Sequence, residues 1–314
     1  MLALEAVRYH WIPRKRNAIE PVSEPFSIVE RWADLHEGRL RYLYGLPRTS
    51  PTDYPQPPLL LIHGLLGYSF SWRYNLPPLA HNFEIFAPDM LGTGFSARRA
   101  DMDCSMAAAA GRLLRFMDVV GIATADVIGT SHGGAVAAAM AAEAPGRVRR
   151  LVLAAPVNPW SEKGRRRARM LGSRLGGALS KKVFPLLKPA HGYVLRRLYG
   201  DARRIPVGTV EGYEEALRVP GSVEYLVGVM ACWRGDLEYM QKVYERIGDK
   251  PVLLLWGDRD RAVLPASAAE LQRRMPKAEL LVLPGVGHMP YEEAPERFNK
   301  AVGEFLGREH SPMG

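Results

Sequence analysis

The chain has 314 residues, 47% of them hydrophobic, with a net charge of +9 and only two cysteines. These numbers predict one large domain, or a domain with an insertion, and exclude a disulfide framework. No apolar run approaches the ~20 residues of a membrane span. The N-terminus, which carries Glu5 in its only apolar stretch, does not resemble a signal peptide. A reducing cytoplasm is therefore the expected compartment.

In chain order, strand patterns alternate with helical patterns. Residues 1–25 are predicted to form an irregular arm, and residues 27–35 and 39–44 flank a turn that favours an antiparallel hairpin. Short apolar runs predict strands over 59–62, 83–87, 125–128, 151–155, 252–256 and 280–283, and helices are predicted over 102–120, 134–142, 266–275 and 295–306. The alternation predicts an α/β fold: a mostly parallel sheet of about eight strands with helices on both faces.

Residues 157–248 break this alternation. Helical patterns at 183–198 and 222–230 stand between two core strands, which is better explained by an insertion than by a terminal domain. We therefore expect an inserted helical cap over residues 157–248, with the α/β core formed by residues 26–156 and 249–314.

The positive charge is concentrated in that insertion. Between Ser161 and Ile205 there are 13 Lys or Arg residues, opposed only by Glu162 and Asp201. Nucleic-acid binding is disfavoured, because the block has no nucleic-acid motif. Residues 183–198 mix apolar and basic side chains, which is compatible with an anionic membrane surface or an acidic substrate. A solvated cap face is the favoured alternative.

A Gly-x-Ser-x-Gly pattern lies at the centre of the chain. Ser131 follows an apolar run and precedes an alanine-rich stretch, an order that predicts a strand, a sharp turn and a helix. The turn needs glycines because the serine occupies a strained backbone conformation. The N-terminus of the helix would stabilise developing negative charge beside Ser131. The Gly-x-Ser-x-Gly pattern alone is weak evidence for a nucleophile, and the predicted strand and helix on either side strengthen that evidence.

Five motifs follow one another in a recognisable order: His63-Gly64, residues 89–96 (Asp-Met-Leu-Gly-Thr-Gly-Phe-Ser), residues 129–133, residues 257–260 (Gly-Asp-Arg-Asp) and Gly287-His288. With their surroundings, over residues 26–310, they resemble the α/β-hydrolase superfamily, in the capped branch that includes esterases, epoxide hydrolases and carbon–carbon bond hydrolases. The resemblance implies the α/β-hydrolase fold. It also implies a catalytic triad in the chain order serine, acid, histidine.

The chemistry and the resemblance both call for a serine, a histidine and a carboxylate. A serine hydroxyl needs a neighbouring base, and a histidine held by a carboxylate can take and return its proton. Of eight histidines, His288 lies in a glycine-rich loop after an apolar strand, at the expected place after Ser131. Asp258 and Asp260 compete for the acid. The family pattern Gly-x-x-Asp favours Asp260 and leaves Asp258 to shape the loop.

The resemblance also implies an oxyanion hole built from the backbone N–H groups of Leu65 and His132. Candidates for lining an apolar substrate pocket are His63, Leu66, Trp72, Trp160, Trp233, Tyr239 and Met289. For each aromatic candidate, packing in the cap or the core is an equally good interpretation.

The favoured function is a serine hydrolase that cleaves a small, apolar carboxylic ester through an acyl-enzyme, with no metal or organic cofactor. A carbon–carbon bond hydrolase, a cofactor-free haloperoxidase or an acyltransferase could use the same triad. A catalytically silent binding protein is the alternative outside the enzymes. Epoxide hydrolases and haloalkane dehalogenases attack with an aspartate at the elbow, so Ser131 disfavours both. Substrate identity and oligomeric state are left open.

Overall fold

The computed structural model describes residues 26–47, 56–161 and 191–308. Its centre is an eight-stranded sheet of β1 (Phe26–Leu35), β2 (Gly38–Pro47), β3 (Leu59–Ile62), β4 (Ile85–Pro88), β5 (Ala125–Thr130), β6 (Val148–Ala154), β7 (Val252–Gly257) and β8 (Glu279–Leu283). The spatial order is β1-β2-β4-β3-β5-β6-β7-β8. Strand β2 pairs antiparallel with β1 on one side and with β4 on the other, and all other pairs are parallel. The predicted mostly parallel sheet is confirmed.

Helices cover both faces of this sheet, as predicted. They are α1 (Leu76–Leu79), α2 (Met106–Val119), α3 (His132–Glu143), α4 (His191–Leu198), α5 (Thr209–Leu217), α6 (Ser222–Arg246), α7 (Ala266–Arg274), α8 (Pro290–Glu293) and α9 (Pro295–Leu306). Because side chains alternate along a strand, Val127 and Leu254 face a core layer shared with α2, α3, α6 and α7. Ile128 and Leu255 face the opposite layer, shared with α1, α4, α5 and α9.

The helices between β6 and β7 differ in extent from their predicted patterns. The helix predicted over 222–230 continues to Arg246, because Met240, Val243 and Tyr244 are fully buried in the same core layer as α3. Helix α5 was not predicted. The predicted arm at 1–25 and most of the basic block, including residues 183–190, lie outside the described residues. In the three described stretches, no helix is both long enough and apolar enough to cross a membrane.

Helix α6 also carries a buried carboxyl group at its contact with α2. Asp236 is only 4% exposed, and its Oδ1 accepts a hydrogen bond of 3.0 Å from the N–H of Met106, the first residue of α2. Its Oδ2 has no hydrogen-bond partner among the described residues. Burial raises the pKa of Asp236 to about 6. The ionised form of Asp236 is therefore less stable in the folded protein than in the unfolded chain.

This raised pKa predicts a measurable pH dependence. Between pH about 4 and 6 the folded protein binds a proton that the unfolded chain has lost, so the free energy of unfolding falls as pH rises through that window. Asp236→Asn keeps the acceptor for Met106 and removes the ionisation. We expect it to be about 1–3 kcal/mol more stable than wild type at pH 7 and to lose that gain at pH 4. Urea unfolding across this pH range measures the difference.

Glu238 supplies the control for that experiment. It lies on the same helix with an exposed side chain, so Glu238→Gln should follow the wild-type pH profile. A stability difference between Asp236→Asn and wild type that stays constant from pH 4 to pH 7 would contradict the prediction.

Candidate active site

Ser131 lies at the sharp turn between β5 and α3. Its backbone dihedral angles, φ 53° and ψ −119°, lie in a region that a non-glycine residue adopts only under strain. Hydrogen bonds hold the turn on both sides: the Ser131 N–H donates to Ala154 O at 2.9 Å, and Ser131 O accepts from Gly134 N at 3.1 Å. The strained serine is thus fixed between the sheet and the N-terminus of α3.

The two glycines of the Gly-x-Ser-x-Gly pattern are required by close backbone packing. A Cβ on Gly133 would collide with the carbonyl oxygens of Ile62 and His63 at the end of β3. A Cβ on Gly129 would collide with the first turn of α3, including Gly134 Cα at 2.7 Å. Only glycine at these positions lets α3 begin directly behind Ser131.

His288 and Asp260 come together from the loops that follow β8 and β7. His288 Nδ1 is 2.7 Å from Asp260 Oδ2, and the two residues are 6% and 3% exposed. The other carboxylate oxygen, Oδ1, accepts hydrogen bonds from the N–H groups of Ala262 at 2.7 Å and Val263 at 3.1 Å. The Asp260 carboxylate is therefore fixed by its own loop and oriented towards the imidazole.

The competing aspartate has a different partner. Asp258 is exposed, and its Oδ1 accepts a hydrogen bond of 2.7 Å from Gly285 N in the loop that precedes His288. The structure thus brings Asp260, and not Asp258, to His288. Asp258 ties the two loops together, which is the loop-shaping contact that its position suggested.

The two backbone groups expected to bind an oxyanion lie beside Ser131. A Cβ on Gly64 would be 3.3 Å from Ser131 Cβ, so the chain passes the serine just before Leu65. His132 directly follows Ser131 and begins α3. Among the described residues, neither the Leu65 N–H nor the His132 N–H has a hydrogen-bond acceptor. The side chains of Ser131 and His288, both described, share no hydrogen bond.

The side chain of His63 is structural. It is fully buried, with Nδ1 2.8 Å from Gly64 O, and Nε2 accepts a hydrogen bond of 3.1 Å from the N–H of Met90. These contacts match a neutral ring protonated on Nδ1, and burial lowers the pKa of His63. The ring joins the end of β3 to the loop over residues 89–96, where Asp89 accepts hydrogen bonds from Ser69 N and Arg41.

The side chain of His132 has an unusual environment that the sequence did not reveal. The residue is 1% exposed, and neither ring nitrogen has a hydrogen-bond partner among the described residues. The ring stacks on Trp233 of α6, with centroids 6.3 Å apart. Burial, with a smaller contribution from His63, lowers the pKa of His132 to about 4, so the ring is neutral at physiological pH.

A small cavity lies beside Leu65. It holds about 20 Å³, is partly open to solvent, and is lined from the core by Leu65, Leu66, the loop over residues 92–94 and Arg98. From α5 and α6 it is lined by Ala216, Leu217, Ser222, Tyr225 and Leu226. Leu66 was a predicted pocket residue. Tyr225 and Leu226 were missed, although they lie in the helical pattern predicted over 222–230.

The other predicted pocket residues lie in packed layers. Trp72 is fully buried against Tyr291, with ring centroids 4.9 Å apart, and Trp160 packs on Tyr244 at 5.8 Å. Met289 is buried in the core layer that contains α9. Two further candidates lie on α6: Trp233 packs against His132, and the Tyr239 hydroxyl donates to Glu143 at 3.1 Å. The structure places these side chains in core and interhelical packing.

Comparison with known proteins gives a family and several relatives. A family profile described as the alpha/beta hydrolase family matches residues 59–301. The dihydrolipoyllysine-residue acetyltransferase component of the acetoin cleaving system of Cupriavidus necator is 33% identical over 79% of this chain. The chain spans 63% of that protein, which is less than two thirds of its length.

Two other proteins match over nearly their whole length. Haloalkane dehalogenase 2 of Mycobacterium tuberculosis is 28% identical, and the match covers 91% of this chain and 98% of that protein. Among solved structures, the 2-hydroxy-6-oxo-6-phenylhexa-2,4-dienoate hydrolase of a Rhodococcus species superposes with a TM-score of 0.73 at 22% identity. That superposition covers 90% of this chain and 100% of the other, and at this identity it shows the shared fold alone.

Proposed function

Because the chain belongs to the alpha/beta hydrolase family, we propose that it is a serine hydrolase that cleaves a carboxylic ester through an acyl-enzyme intermediate. The observation that carries the proposal is the buried hydrogen bond of 2.7 Å between His288 Nδ1 and Asp260 Oδ2. It fixes the tautomer of the imidazole, so Nε2 is the nitrogen that exchanges a proton with the nucleophile.

In this mechanism Ser131 Oγ attacks the ester carbonyl and gives its proton to His288 Nε2. The N–H groups of Leu65 and His132 hold the oxyanion, and Asp260 stabilises the imidazolium. His288 then protonates the departing alcohol, which leaves the acyl group on Ser131. A water deprotonated by His288 attacks the acyl carbonyl, and the acid leaves as the proton returns to Ser131. The missing Ser131–His288 hydrogen bond is compatible with this mechanism, because such contacts often tighten only when substrate binds.

The nucleophile Ser131 and the side chains that line the cavity limit the class of substrate. The dehalogenases of this superfamily attack with an aspartate at the elbow, so the hydroxyl of Ser131 favours acyl chemistry over carbon–halogen cleavage. The cavity beside Leu65 is lined largely by apolar side chains, including Leu66 and Leu226. We therefore propose a small, apolar acyl ester as substrate. In this proposal residues 157–248 form the cap, whose helices α5 and α6 close the cavity.

Acyl transfer is the second candidate, favoured by the 33% identity to a protein named as an acetyltransferase component. In that reaction the same acyl-enzyme forms, and a thiol or alcohol takes the place of water in the second step. The two candidates differ only in the acceptor, so both predict the same labelling of Ser131.

A fluorophosphonate probe tests the shared first step. We expect the probe to label the folded protein on Ser131, as mapped by peptide mass spectrometry, and to leave Ser131→Ala unlabelled. Products from a p-nitrophenyl ester chain-length series, measured with and without dihydrolipoamide as acceptor, distinguish hydrolysis from transfer. A folded wild-type protein that takes no label would contradict the proposal and favour the silent binding protein.

A further inference from the structure

The segment that follows α4 is bound to the loop that carries His288, through one buried side chain. Glu293 of α8 has a fully buried carboxylate. Its Oε2 accepts hydrogen bonds from Gly287 N at 2.7 Å and Gly200 N at 2.8 Å. Its Oε1 accepts from Asp201 N at 2.9 Å and from Arg204 at 3.3 Å. A single carboxylate thus holds backbone groups from both segments.

The two segments also contact each other directly. The N–H of His288 donates a hydrogen bond of 2.6 Å to Leu198 O, the last residue of α4. A Cβ added to Gly200 would be 2.7 Å from Gly285 O and 2.8 Å from Gly287 N. The two backbones are therefore closely packed, with no room for a side chain between them. The position of His288 therefore depends on the inserted segment as well as on the sheet.

The carboxylate of Glu293 contributes more hydrogen bonds to this contact than any other group named here. A buried carboxylate is tolerated only when its oxygens are satisfied, and here three backbone N–H groups and a guanidinium do so. Removing its charge weakens all of these hydrogen bonds at once, and an amide in its place turns one acceptor oxygen into a donor that faces other donors. The N–H of Gly287, directly before His288, is among the groups affected.

We propose that Glu293 is a positioning residue for His288: it clamps the loop at 285–288 to the segment at 198–201, so that the insertion sets the orientation of the imidazole towards Ser131. The inference rests on the proposed role of His288 as the general base. Because a displacement of about 1 Å in a catalytic group can lower a rate about 100-fold, a small relaxation of this clamp has a large effect on turnover.

The first test replaces the carboxylate by an amide of the same shape. We expect Glu293→Gln to lower kcat on a p-nitrophenyl ester by about 10- to 100-fold while KM stays within about twofold, because the chemical step is impaired and substrate contacts are intact. The matched control is Glu296→Gln, three residues along the chain at an exposed position, which should retain wild-type kcat.

A second test approaches the clamp from the insertion. Gly200→Ala places a methyl group against the 285–288 loop and should lower kcat in the same way. In Gly192→Ala, eight residues earlier, Val210, at 3.8 Å, is the one described residue that the new methyl group would meet, so kcat should be unchanged. If Glu293→Gln fails to fold, the kcat values of Gly200→Ala and Gly192→Ala test the clamp in its place.

A spectroscopic signal separates positioning from a general structural effect. In wild type the proton between His288 Nδ1 and Asp260 should resonate downfield of the amide region, and Asp260→Asn identifies it by its loss. We expect Glu293→Gln to shift or broaden this signal and Glu296→Gln to leave it unchanged. An unchanged signal or an unchanged kcat in Glu293→Gln would overturn the inference, as would a rise in KM alone. If wild type neither turns over esters nor takes a fluorophosphonate, the proposed function fails, while the proton signal still decides whether Glu293 positions His288.

Discussion

Asp260→Asn is expected to lower kcat on an ester substrate by about 10⁴-fold, whereas Asp258→Asn should remain within about threefold of wild type. The Asp260 carboxylate accepts a hydrogen bond of 2.7 Å from His288 Nδ1, and an amide there would favour the wrong tautomer of the imidazole. Asp258 is exposed and only links its loop to Gly285 N. The kcat values of these two variants, which carry the same substitution two residues apart, should therefore differ by more than three orders of magnitude.

Steady-state kinetics of both variants, with thermal unfolding as a check on folding, measures this difference. The fluorophosphonate labelling rate gives an independent reading, because Asp260→Asn should slow it strongly while Asp258→Asn leaves it nearly unchanged. Equal losses in the two variants, or a larger loss in Asp258→Asn, would show that the acid has been misassigned.

The triad candidates could be predicted from the sequence because local features identify them. Short apolar runs mark the buried strands, and the polar residues that follow those strands meet at one edge of a parallel sheet. Ser131, Asp260 and His288 each follow such a run. Asp258 could be separated from Asp260 on sequence only by a family pattern. The structure supplies the physical reason, since the loop directs one carboxylate towards His288 and the other towards Gly285.

The contacts between the segment that links β6 to β7 and the rest of the chain could not be predicted in this way. Glu292 and Glu293 follow Pro290 in the first turn of a short helix, where acidic residues are common for reasons of helix electrostatics alone. Their partners are far away in the chain: Arg73 is separated from Glu292 by 219 residues, and Gly200 from Glu293 by 93. No periodicity links such positions. For the same reason, the aromatic character of Trp72 could not show whether it lines a pocket or packs in the core.

Glu292 forms the second of these contacts and holds residues between β6 and β7 to Arg73 through a buried charge. Arg73 donates two hydrogen bonds to its carboxylate, at 2.8 and 3.0 Å, and both side chains are almost completely buried. The hydroxyls of Tyr199, which follows α4, and Tyr213 of α5 donate to the same carboxylate. Arg73 also donates to Thr209 Oγ1 at 3.1 Å. Arg73, Tyr199 and Tyr213 each lose a hydrogen bond if the Glu292 carboxylate is lost.

Glu292→Leu is therefore expected to lower the free energy of unfolding by about 3–5 kcal/mol, because it leaves the guanidinium of Arg73 buried without a counter-charge. Glu238→Gln, at an exposed i,i+4 pair with Arg234, should change it by less than about 0.5 kcal/mol. Denaturant unfolding measures both. The double variant Arg73→Met/Glu292→Leu should recover much of the loss, since an apolar pair avoids the cost of an unpaired charge. If the double variant is as unstable as the sum of its single variants, the loss arises from packing and tyrosine contacts, and the ion pair is not what holds α4 and α5 to the core.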